Sequence, residues 1–208
     1  MTEKEEAELV PGADGGAREK LLEAGRYLFL QQEFHRVSIR RIAERAGVNS
    51  AMIAYYFGDK RGLFQAVVMS YITPMKGYLL NGLREMPRRS FGDIFRFYFR
   101  HAPRELIQIV IKSLLYDPGD QGRWLVETIL RPLLTEVERQ LDQVLPEGRE
   151  HQPEFARLMI QSLLIFPVLM KPILETLSRH PMDETYYDEL ADYFGMMLDR
   201  AFDMENAQ

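Results

Sequence analysis

Apolar residues recur along this chain at intervals of three and four, with no sustained alternation between turn signals, and that pattern predicts helices throughout. Leu21, Leu22, Ala24, Gly25, Leu28 and Phe29 mark the buried face of a first helix over residues 17–34. Ile39, Ile42, Ala43 and Ala46 form one face of a short second helix. A third short helix follows, and a fourth from residue 59 to about 83 carries Leu63, Phe64, Val67 and Val68, with Pro74 as an expected kink. Phe91, Ile94, Phe95 and Tyr98 continue the pattern to His101. Leu106, Ile107, Val110, Ile111, Leu114 and Leu115 predict the next buried face. One long helix is expected from Gln121 to about Val144, bent at Pro132. Another spans roughly 154–179, apolar nearly all round and kinked at Pro167 and Pro172. Leu190, Tyr193, Phe194, Met197, Leu198 and Phe202 stripe a last helix over about 184–204.

The residues between the stripes set the boundaries of the second and third helices. Ser38 is a good N-cap, because its hydroxyl accepts an orphan backbone N–H. Val37 and Ile42 are spaced as a hydrophobic staple. Gly47 stops the helix, since glycine enters the left-handed region without steric cost. Asn49 caps the next helix, and Val48 with Ile53 repeats the staple. Two capped helices around a glycine turn read as a helix-turn-helix. The first turns Arg40, Arg41, Glu44 and Arg45 outward; the second presents Asn49, Ser50, Ala51 and Ala54. A narrow helix of that kind enters a DNA major groove without clashing, while a neighbouring arginine reaches guanine O6 and N7. A hydroxyl among Tyr55 and Tyr56 can bond a phosphate. So can Lys60, which stands after the expected cap Asp59.

The run SIRRIAERAGV, then NSAMIAYYF, then DKRGLF, resembles the DNA-binding domain of the TetR family of bacterial transcriptional regulators. The resemblance covers about 30 residues without gaps and extends weakly back to Ala17. It implies that Arg40 contacts a base, that Ser50, Ala51 and Ala54 face bases, and that Tyr56 and Lys60 meet phosphates. With their capping and flanking neighbours, the expected DNA-binding set is Ser38, Arg40, Asn49, Ser50, Ala51, Ala54, Tyr55, Tyr56 and Lys60. Asn49-Ser50-Ala51 offers few long polar groups, and Phe34-His35 lacks the glycine many relatives carry. The implied architecture is all-α: a disordered arm over 1–16, a three-helix DNA-binding domain over 17–64, and a helical ligand-binding and dimerisation domain over 65–208. The two C-terminal helices would pair with their copies in a homodimer.

Charge sharpens this division. The chain of 208 residues carries a net −5, yet residues 17–64 hold nine Lys or Arg against five Asp or Glu, a local +4. The remainder therefore carries −9. A basic head engages phosphate while an acidic remainder stands off. There is no cysteine, which suits a reducing cytoplasm. Apolar runs break well before about 18 residues, and the first residues are acidic, so neither a membrane span nor a signal peptide is expected.

Catalytic chemistry is not indicated. His35, His101, His151 and His180 have no metal-ligand spacing, and neither a phosphate loop nor a nucleophile elbow is present. No metal or other cofactor is expected. The second domain offers an apolar and aromatic interior instead. Phe95, Tyr98, Phe99, Tyr116, Trp124, Met159, Phe166 and Met170 are the candidate lining of a small-molecule pocket, and Arg96, His101, Arg104, Gln108, Lys112 and Arg131 its candidate polar anchors. The expected function is a repressor that binds a pseudo-palindromic operator and is released by an apolar or amphipathic effector. The rival is an all-helical sensor or interaction protein that no longer reads DNA.

Overall fold

The computed structural model describes residues 14–84, 90–116, 119–144 and 152–201. Helices α1 (Asp14–Gln31), α2 (Ile39–Ala46), α3 (Ala51–Phe57), α4 (Lys60–Arg84), α5 (Phe91–His101) and α6 (Arg104–Tyr116) come first. Then follow α7 (Asp120–Leu125), α8 (Arg131–Val144), α9 (Gln152–Leu169), α10 (Lys171–Ser178) and α11 (Glu184–Ala201). Among the described residues there is no strand. The chain divides into compact units over residues 1–70 and 71–208. The expected arm lies outside the described residues up to position 13, and α1 begins at Asp14 rather than Ala17.

The first unit is built on three aromatic rings. Phe29, Phe34 and Phe64 meet with centroids 5.2 to 5.9 Å apart. Leu21, Leu28, Val37, Ile42, Ile53, Leu63 and Val67 of the same unit are each buried. A single turn of 3₁₀ helix, Phe34–Arg36, connects α1 to Ser38, where a longer first helix was expected. Ile39 departs from the expected buried face and is 41% exposed. It is the first residue of α2, and only Ile42 and Ala43 of that helix are buried.

The second unit is organised by α5 against α11. Phe91, Phe95 and Phe99 of α5 pack with Tyr187, Ala191 and Leu198 of α11, and Ala156, Ile160 and Val168 of α9 complete the core. Arg96 on α5 pairs with Asp93, 3.0 Å away, and with Asp188 and Asp192 on α11. On α6 the buried positions are Ile109 and Ser113, whereas Leu115, expected inside, is 67% exposed. That helix is apolar on more than one face, so periodicity could not select the packed one.

Two expected long helices are interrupted. Val126–Leu130 forms a π-helical turn between α7 and α8, and the Arg131 N–H reaches back to the Val126 carbonyl. Proline at 132 has no N–H and its ring crowds the preceding turn, so the ladder is displaced ahead of it. The expected helix over 154–179 breaks at Met170, and its halves meet at 74°. Pro167 lies inside α9 instead of at the break, and the Tyr187 hydroxyl donates to its carbonyl at 3.3 Å. No single described helix is long and apolar enough to cross a membrane.

Candidate nucleic-acid interface

The geometry of α2 and α3 follows from their caps. Ser38 is extended, and its Oγ accepts the Arg41 N–H at 3.2 Å. Gly47 has φ +66°, in the left-handed region, and its N–H closes onto the Ala43 and Glu44 carbonyls. Asn49 Oδ1 accepts the Ala51 N–H at 2.9 Å, so the asparagine binds the first residue of α3 from one position before its N-cap, Ser50. Asp59 Oδ1 accepts the Gly62 N–H at 2.8 Å and starts α4.

Around these caps a set of polar and small side chains is exposed. Arg40, Arg41, Glu44 and Arg45 on α2 are exposed, as are Asn49, Ser50, Ala51 and Ala54 around the start of α3. Tyr55 is 70% exposed, beside the half-buried Tyr56 ring at 4.9 Å. Ser38 is also exposed, although its hydroxyl serves the α2 cap. Arg41 donates to Gln32 Oε1 at 2.8 Å, and Arg45 stacks 3.4 Å over the Tyr27 ring, so both are drawn toward α1. Among the described residues, Arg40 donates through Nε, to Glu44 at 2.7 Å.

Lys60 makes contacts within the first unit that its position in the sequence does not announce. Its ammonium donates to the Phe34 carbonyl at 3.0 Å and the Val37 carbonyl at 2.9 Å, and it lies 4.2 Å from the Phe34 ring centroid. The lysine therefore ties the start of α4 to the turn that presents Ser38. A sequence reader sees a cation beside a helix N-terminus and assigns it a phosphate; the carbonyls that claim it lie 23 and 26 residues away. Lys60→Met should lower the stability of the first unit by roughly 1–3 kcal/mol. The salt dependence of DNA binding should be unchanged. Thermal unfolding and binding isotherms at several salt concentrations check this; a flattened salt slope with unchanged Tm would return Lys60 to a phosphate.

The candidate pocket residues of the second unit occupy several environments. Phe95 and Phe99 are core, with ring centroids 6.0 Å apart. Tyr98 packs against that core, and burial pushes its hydroxyl pKa well above the usual tyrosine value. Trp124 and Met170 are half-buried, whereas Met159, Phe166 and Tyr116 are exposed. An open surface groove of about 270 Å³ is lined by Asp93, Arg96, Phe97, Arg100 and His101. Among the polar anchors, Arg96 is held by carboxylates, Arg131 pairs with Glu127, and Arg104 lies over Tyr187. His101 Nδ1 lies 2.8 Å from the Phe97 carbonyl.

Residues 21–67 match the family described as bacterial regulatory proteins, tetR family. The chain is 27% identical over 189 residues to the probable HTH-type transcriptional regulator YttP of Bacillus subtilis, covering 82% of this chain and 86% of that protein. It is 28% identical over 110 residues to the HTH-type transcriptional repressor AcnR of Corynebacterium glutamicum, covering 52% of this chain and 56% of that one. The crystal structure of the transcriptional regulator FadR from Bacillus subtilis, in complex with stearoyl-CoA, superposes with a TM-score of 0.60 at 14% identity. That superposition covers 85% of this chain and 97% of FadR.

Proposed function

The chain belongs to the TetR family of bacterial regulatory proteins and is a helix-turn-helix transcriptional regulator, and from that premise we propose that it is a homodimeric repressor of a pseudo-palindromic operator. The observation that carries the proposal is the joint exposure of Arg40 on α2 and of Ser50, Ala51, Ala54 and Tyr55 at and after the start of α3. The small residues of α3 let its backbone approach the major-groove floor. Arg40 supplies the bidentate donor that distinguishes guanine. Tyr55 and Tyr56 serve phosphates, which fix register without reading sequence.

Dimerisation is supported by apolar surface that a lone chain leaves in water. Phe155, Leu158, Ile165 and Phe166 form one stripe on α9, and Tyr193, Met196 and Met197 lie on α11, all at least 36% exposed. A two-fold pairing of those helices would place two heads over half-sites about one DNA turn, or a multiple, apart. An apolar or amphipathic effector taken up by the second unit would release the operator, in keeping with the stearoyl-CoA bound to FadR. By linkage, operator DNA would weaken effector binding by the same factor. The work would be done in the cytoplasm, without catalytic turnover.

Selection of bound fragments from sheared genomic DNA at two salt concentrations tests this reading. An enriched pseudo-palindrome, lost at high salt, is the expected result; no enrichment by a folded dimer would overturn it. Arg40→Ala should then weaken operator binding on the order of tenfold to a hundredfold and relax specificity at one position of each half-site. Unchanged operator affinity would remove Arg40 from the base contacts.

A further inference from the structure

We propose that Glu44 is a positioning and specificity-determining residue for DNA reading, holding Arg40 with its guanidinium fork turned outward and denying it a phosphate; this rests on the reading of Arg40 as a base contact. Glu44 Oε1 accepts from Arg40 Nε at 2.7 Å, one helical turn away on α2. That bond uses the inner edge of the guanidinium. The two terminal nitrogens, which form the fork that matches guanine O6 and N7, have no partner among the described residues. Arg41 and Arg45, by contrast, are committed toward α1 through Gln32 and Tyr27. Of the arginines on α2, Arg40 is therefore the one not drawn toward α1.

Helix stability does not account for a glutamate at this place. Glu44 lies in the last turn of α2, where the helix dipole disfavours an anion. The pair also has the basic residue on the N-terminal side, the weaker order for an i,i+4 pair. What the carboxylate does supply is orientation and charge. Tethered at Nε, Arg40 loses few rotamers on meeting a base edge. A negative group beside it also opposes capture by any passing phosphate, which raises the ratio of specific to non-specific binding at some expense of total affinity.

The test uses full-length protein and two duplexes of equal length, the selected operator and a random sequence, titrated by fluorescence anisotropy over a range of salt. Glu44→Ala should bind the random duplex several-fold more tightly. Its salt slope should steepen by about 0.9, the signature of one added phosphate contact. Its operator-to-random ratio should fall about tenfold. Glu44→Gln keeps the acceptor but not the charge, so it should gain random-duplex affinity while retaining more of the ratio. In the Arg40→Ala background, Glu44→Ala should no longer change the ratio. A ratio and slope equal to wild type, with only a lower Tm, would overturn the proposal and leave Glu44 as a helix contact. A wild-type protein that binds both duplexes equally would instead overturn the DNA reading on which it rests.

Discussion

Gly62→Ala is expected to unfold the first unit at moderate temperature and to abolish operator binding. A Cβ at Gly62 would lie 1.9 Å from the carbonyl oxygen of Phe57 and 3.0 Å from its carbon. Both atoms are backbone, at the end of α3, so no rotamer change can relieve the contact. The chain has two ways out, and each breaks something. Moving the first turn of α4 disrupts the Asp59 cap at 2.8 Å and the Lys60 bonds to the Phe34 and Val37 carbonyls. Moving the end of α3 shifts the helix that carries Ala51, Ala54 and Tyr55. The cost should reach about 3 kcal/mol, the upper part of the range for overpacking. That is a large share of the roughly 5–15 kcal/mol that holds a domain together. Gly25→Ala is the control: its Cβ would meet a Val67 methyl at 3.0 Å, a side-chain contact that can yield. Thermal unfolding of both variants, with operator binding below Tm, checks the contrast. Equal Tm values would mean that the α3–α4 turn has slack.

Gly195→Ala should destabilise the second unit, whereas Gly92→Ala should leave it nearly unchanged. A Cβ on Gly195 would stand 2.4 Å from the Gly92 nitrogen and 2.5 Å from its Cα. The mirror substitution meets only ordinary contacts, with the Ala191 carbonyl at 3.5 Å and Ser90 Oγ at 3.6 Å. The asymmetry arises because α5 lies directly on Gly195 while the Gly92 Cβ direction passes to one side. Separating the helices to admit one methyl would loosen Phe91, Phe95 and Leu198, all buried at this contact. It would also stretch the Asp199 acceptor from the Phe91 N–H, now at 3.2 Å. A loss of about 2–3 kcal/mol follows from overpacking a close-fitted contact. Denaturant unfolding read from Trp124, which lies in this unit, should show a lower midpoint for Gly195→Ala and little change for Gly92→Ala. The reverse order would mean that the helices cross elsewhere.

Local chemistry made the first unit legible. Ser38, Gly47, Asn49 and Asp59 act on backbone groups two to four residues away, and each does in the structure what its residue type implies. The helical character of the whole chain was legible for the same reason, since a period of three to four is a property of neighbours. Break positions were less so. Pro132 and Pro172 announced interruptions, but the π turn at 126–130 and the 74° break at Met170 depend on which carbonyl finds a donor afterwards. On α6, seven aliphatic residues offered several possible faces, and packing chose Ile109 and Ser113, neither of them on the expected face.

The sequence by itself determined the caps, the glycine turn, the helix-turn-helix and its outward arginines, because all of these are contests between a side chain and its own backbone. Tertiary structure decided whatever depends on distant partners. It set Lys60 against two carbonyls, drew Arg41 and Arg45 toward α1 while Arg40 paired with Glu44, and exposed the apolar stripes of α9 and α11. It also separated Gly195 from Gly92, two glycines with the same local character, by the direction in which each would point a methyl group. Spacing along a helix fixes which residues share a face; only the approach of a second backbone determines how much room that face has.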